Sequence, residues 1–144
     1  MTTATPAAPA LAYIPVPLSL PDAVHHEVTR SPGLVGTARR AARRVLTGWS
    51  ITGDRLDDAL LIVSELVTNA LVHGGTGPVG LILREVRGCL TVAVRDCGPS
   101  TSTLIPCPQN AAAESGRGLA IVARLARQCG ACSTPRSTTV WARL

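Results

Sequence analysis

From Asp54 to His73 the chain carries apolar residues at the spacing of a single helix face: Leu56, Leu60, Val63, Val67, Ala70 and Leu71. The pattern then breaks on Gly74-Gly75-Thr76-Gly77-Pro78. An apolar stripe of this kind must be buried against another element. Two strand-like runs follow at 79–86 and 89–96, with Arg87-Gly88 between them as a turn. A long helix leading into an antiparallel pair is satisfied by helices covering one face of a mainly antiparallel sheet. The expected fold is therefore an α/β (α+β) two-layer sandwich.

The remaining segments fit that plan. Residues 24–30 read as an edge strand. Ser31-Pro32 reads as an N-cap followed by proline at the first helical position. Val35, Ala38, Ala42, Val45, Leu46 and Trp49 then recur at helical spacing, with Arg39, Arg40, Arg43 and Arg44 forming a basic outer face. Asp54 is the expected cap of the second helix. A third helix is expected from Arg117 to Gln128, and residues 131–134 and 138–143 supply two more strands. Residues 97–116 form a long, proline-containing loop of the kind that serves a function. Residues 1–21 are rich in Ala, Pro and Thr and read as a flexible arm, leaving 22–144 as one domain.

Composition limits what such a domain can do. Hydrophobic residues make up 46% and charged residues 16%, enough apolar material for a real core. Phe is absent and the aromatic residues are Tyr13, Trp49 and Trp141, so Leu, Val, Ile and Ala must fill that core. All 14 basic residues are Arg, and the net charge is +5. That charge suits phosphates, an acidic partner or nucleic acid, and does not choose among them. No run of about 18 apolar residues is present to span a membrane. Pro6, Pro9, Pro15 and Pro17 break up any secretory leader. Five irregularly spaced cysteines argue against a disulfide framework and for a cytoplasmic home.

Three motifs can carry chemistry. Glu65, Asn69 and His73 lie four residues apart, on a helix face distinct from the apolar stripe. A carboxylate can take a proton, and an amide oxygen suits Mg²⁺, although such a triplet also describes a solvated helix face. Asp96-Cys97-Gly98 ends a strand, where Asp96 can accept a hydrogen bond from the amino group of a base and Gly98 allows a flat ring to approach. The same residues also describe an ordinary turn. Gly116-Arg117-Gly118 opens a helix and can offer free N–H groups to phosphates, or can simply ease the turn into the helix.

In this order, Glu65-x-x-x-Asn69, Asp96-x-Gly98, Gly116-x-Gly118 and Thr139 resemble the four boxes of the GHKL (histidine kinase-like) ATP-binding superfamily. The run Ser64 to Ala70 with His73-Gly74, then Gly116-Arg117-Gly118-Leu119 and Thr139-Val140-Trp141-Ala142, is similar to stand-alone actinomycete ATP-binding regulators and to anti-sigma-factor serine/threonine kinases. The resemblance spans 22–144 and implies a Bergerat-type ATP-binding fold. It implies ATP and Mg²⁺ as ligands, with Asn69 holding the metal and Glu65 acting as general base. Asp96 would read the adenine amino group, with Gly98 lining the base site. Gly116, Arg117, Gly118 and Leu119 would form the phosphate end, Thr139 would support the adenine end, and residues 97–116 would be the lid. Relatives often carry Gly-Lys before Thr-Val-Trp and two glycines before Arg-Gly-Leu. Here Ser137-Thr138 and Ser115-Gly116 stand in those places.

Two features are set aside. Cys129-Gly130-Ala131-Cys132 has redox spacing but falls at the end of the expected third helix, so a structural role is expected. His25 and His26 sit on an edge strand as surface residues. The leading expectation is a serine/threonine protein kinase that phosphorylates or sequesters a regulatory protein, such as an anti-anti-sigma or sigma factor. The alternative is a non-catalytic, ATP-sensing protein-binding module. Direct nucleic-acid binding ranks last for want of aromatic platforms and a recognition motif. The oligomeric state, including a homodimer, stays open.

Overall fold

The computed structural model describes residues 22–97 and 117–144. The elements run β1 (Val24–Val28), α1 (Leu34–Gly48), α2 (Gly53–His73), β2 (Val79–Val86), β3 (Cys89–Cys97), α3 (Arg117–Leu125), β4 (Gln128–Ser133) and β5 (Ser137–Arg143). The five strands form one antiparallel sheet in the order β1-β2-β3-β5-β4. This is the helix-on-antiparallel-sheet plan expected from the sequence.

Side chains alternate between the two faces of each strand, and the ladder register carries this alternation across the sheet. Val79, Leu81 and Leu83 of β2, Leu90, Val92 and Val94 of β3, and Val140 and Ala142 of β5 face the helices. Against them pack Leu56, Leu60, Val63 and Val67 of α2 and Ala38, Ala42 and Leu46 of α1, all buried. Each fully buried Leu, Val or Ile contributes about 1.5–3 kcal/mol, so an aliphatic core suffices without Phe. The opposite face carries a smaller cluster of Ile82, Ala93 and Trp141. Gly130 lies beside Trp141, where a Cβ would stand 2.7 Å from Trp141 Cζ2, and the Arg143 guanidinium lies 5.1 Å from the ring centroid.

The hairpin between β2 and β3 turns on Arg87 (φ 51°) and Gly88 (φ 79°), the positive pair that a tight two-residue turn requires. Other local expectations are corrected. α1 starts at Leu34 after Gly33, because Ser31 to Leu34 close a turn in which the Leu34 N–H donates to the Ser31 carbonyl at 3.0 Å. Thr52, not Asp54, precedes α2, and its side chain makes no capping bond. Arg39 does not belong to the outer basic face: it reaches across to α2 and donates to Leu60 O at 3.2 Å and Ser64 Oγ at 2.5 Å. α3 ends at Leu125, and the chain enters β4 at Gln128 because six residues there pair with β5. Cys129 and Cys132 therefore lie on a strand, on opposite faces, and cannot bond to each other. The expectations for the arm and for the loop beyond Cys97 lie outside the described residues. Among those residues, no helix is long and apolar enough to cross a membrane.

Candidate functional site

α2 stacks Glu65, Asn69 and His73 on successive turns, and that face looks toward the start of α3 rather than into solvent. Together with Thr68, Val72, Gly118 and Leu119 they line a cleft of about 340 Å³. Asn69 is buried although polar, whereas Val72 at the rim is 67% exposed. α3 approaches closely: a Cβ on Gly118 would stand 2.3 Å from Glu65 Oε2. The first N–H groups of α3 have no partners within the helix and carry its positive dipole end. An anion in this cleft would meet donors from α3 on one side and a carboxylate and an amide from α2 on the other.

A second group of polar residues sits where α2 ends. Asp96, near the end of β3, is 6% exposed. Its Oδ2 accepts from the Gly75 N–H at 2.7 Å, and its Oδ1 forms a salt bridge with Arg30. Arg30 also donates from Nε to Gly77 O at 2.6 Å and from Nη1 to Ala70 O at 3.2 Å. Gly74 fits because it has no side chain: a Cβ there would lie 1.8 Å from Asp96 Oδ2 and 2.3 Å from Ala70 O. Across the ladder Asp96 pairs with Thr138, also buried, which shares a hydrogen bond of 3.2 Å with Ser133 Oγ.

Glu65, Asn69, Gly118 and Leu119 thus line one cleft, and Asp96 stands at the C-terminal end of the same helix, joined to it through Gly74 and Gly75. Arg117 is the first residue of α3, and Gly98 and Gly116 lie outside the described residues. Thr139 is a correction. It follows Thr138 on β5, so its side chain points to the sheet face away from the helices, where its Oγ1 is buried without a partner. Thr138 is the threonine on the face that Asp96 shares. Arg30 and Gly74 were not singled out as site residues. Nothing local marks Arg30, which lies 66 residues from Asp96. His73-Gly74 belongs to the run that carries the family resemblance, but in sequence Gly74 marks only the helix end, and its contact with Asp96 needs the fold.

Among the described residues, no group of three or more His, Cys, Asp or Glu is arranged to hold a metal ion. The donor that fits Mg²⁺ is the Asn69 amide oxygen, nearly buried at the cleft wall, with the Glu65 carboxylate beside it. An amide oxygen is a hard ligand, and Mg²⁺ typically takes only one or two protein groups beside phosphates and waters. The residues present therefore fit a Mg²⁺ carried in with a nucleotide.

An antiparallel sheet covered by helices on one face, with a polar cleft between two of them and a buried aspartate against the C-terminal end of α2, defines a ligand-binding α+β domain. The chain matches the histidine kinase-like ATPase domain over residues 28–144 and belongs to that family. Among solved structures it is similar in fold to a chain in the crystal structure of the SiaB-SiaC complex from Pseudomonas aeruginosa. The two share 15% identity at a TM-score of 0.64, covering 84% of this chain and 88% of that one. No curated protein sequence matches the chain. Membership in an ATPase domain family implies ATP as the nucleotide.

Proposed function

We propose that the domain binds Mg²⁺-ATP between α2 and α3 and transfers the γ-phosphoryl group to a serine or threonine of a regulatory protein, as an anti-sigma-factor-type kinase. The observation that carries this reading is the Glu65 carboxylate held against the start of α3, one turn from Asn69, in a single cleft. Asp96 would accept the adenine amino group. The N–H groups opening α3 would hold phosphate oxygens, and Asn69 would orient the metal, which supplies charge neutralisation when bound. Glu65 takes the proton of the acceptor hydroxyl as that oxygen bonds to the γ-phosphorus. The bond to the β-phosphate bridging oxygen breaks, and ADP leaves. A cytoplasmic setting and a partner such as an anti-anti-sigma or sigma factor suit this chemistry. The fold-level likeness to a chain of a two-protein complex agrees with a protein partner.

Val72, exposed at the rim of the cleft, favours a second reading, in which ATP controls a protein-binding surface without phosphoryl transfer. Incubating the full chain with labelled ATP, Mg²⁺ and the regulatory proteins encoded beside it separates the two. Under the kinase reading label reaches a partner, and Glu65→Ala slows transfer by about 10²–10⁴-fold while keeping ATP binding. Transfer at the wild-type rate in Glu65→Ala removes Glu65 as the base. No transfer, with ATP still altering partner affinity, selects the sensor.

A further inference from the structure

We infer that Arg30 positions the base-reading carboxylate and thereby sets the preference of the site for adenine over guanine. This inference rests on the reading of Asp96 as the acceptor for the base. A lone aspartate can rotate its carboxylate about the Cβ–Cγ bond, and a rotating acceptor discriminates poorly. Here the two oxygens are held separately, Oδ2 by the Gly75 N–H and Oδ1 by Arg30. Each oxygen keeps a further lone-pair direction for a ligand.

Arg30 is itself fixed. Its Nε and Nη1 are committed to the carbonyls of Gly77 and Ala70, so Nη2 is aimed at Asp96 and is not free to follow solvent. The guanidinium ties together the β1–α1 connection, the last turn of α2, the segment leading into β2 and the end of β3. Its planar fork makes this possible, and a lysine ammonium could not reproduce the geometry. At the base edge, adenine offers an amino donor where guanine offers a carbonyl acceptor. A carboxylate held in one orientation accepts from the first and repels the second. Released from Arg30, it could turn away, and the distinction would shrink.

The test is equilibrium binding of Mg²⁺-ATP, Mg²⁺-GTP and Mg²⁺-tripolyphosphate to the full chain, as wild type, Arg30→Gln and Arg30→Lys. Wild type should prefer ATP. Arg30→Gln should lose about tenfold in ATP affinity, the scale of one charged hydrogen bond, with tripolyphosphate affinity unchanged and GTP affinity level or raised as the repulsion is relieved. Arg30→Lys should fall between. A structural role alone would lower all three affinities together, and that result overturns the inference, as does an unchanged ATP-to-GTP ratio. A wild type without preference for ATP overturns the reading of Asp96 and the inference with it. If circular dichroism shows either variant unfolded, the wild-type Arg30 Nε–H resonance decides. It should shift on adding ATP and stay in place with tripolyphosphate, and an unmoved signal at saturating ATP overturns the inference.

Discussion

Replacing Gly74 with alanine adds one methyl group at the most crowded of the described glycines. The new Cβ would lie 1.8 Å from Asp96 Oδ2 and 2.3 Å from Ala70 O. Neither neighbour yields easily. Ala70 O is helix backbone that already accepts the Gly74 N–H at 2.9 Å, and Asp96 is held by Gly75 and Arg30. Gly74 has φ −87° and ψ −178°, extended backbone that alanine adopts without strain, so the cost is steric alone. Overpacking costs about 1–3 kcal/mol, and loosening a hydrogen bond to the buried carboxylate adds about 1 kcal/mol, for a total of about 2–4 kcal/mol. At about 4 °C per kcal/mol for a domain of this size, Tm should fall by about 8–16 °C. Gly48→Ala is the control, because nothing lies within 4 Å of its Cβ position; this change should leave Tm level or raise it slightly. Differential scanning calorimetry of both variants reads the difference. A Gly74→Ala domain melting within about 2 °C of wild type would refute the close packing of α2 on Asp96.

Asn69→Ala should weaken Mg²⁺-ATP binding by about tenfold through loss of one polar contact, which titration with and without Mg²⁺ measures; the deficit should vanish when Mg²⁺ is omitted from both proteins. Burial pushes the Cys129 thiol above its ordinary value of 9.0. Because the folded value is the higher one, the stability from keeping this thiol neutral is complete below about pH 9 and is lost as pH rises through the folded value. Urea midpoints should therefore fall at alkaline pH less steeply in Cys129→Ala than in wild type, and Cys129 should react with a thiol reagent more slowly than exposed Cys89 and Cys97.

How much was legible in the sequence depends on the range of the interaction that decides each element. α2 and the β2–β3 hairpin announce themselves because their apolar periods and their turn residues are local. β4 does so only in part: a strand is expected at 131–134, but its start at Gln128 is not legible, because Cys129-Gly130-Ala131-Cys132 has no apolar alternation and pairing with β5 sets where the strand begins. Arg39 looks like one of four surface arginines until α2 supplies Ser64 as its partner. Glu65, Asn69 and Gly118 were visible as motifs, whereas their meeting in one cleft needed the packing of α3 on α2. Thr138 could have been found from alternation, since it shares a face with Val140 and Ala142, which belong to the core. Arg30 could not, because only the folded chain brings it to Asp96.

The claim on which the function depends is that this domain holds ATP through Asp96 at one end and the start of α3 at the other. Titration calorimetry of the full chain with Mg²⁺-ATP tests it directly. One-to-one saturable binding in wild type, lost in an Asp96→Ala variant whose circular dichroism is native, is the predicted result. No saturable heat at millimolar ATP, or undiminished binding in that variant, would contradict it.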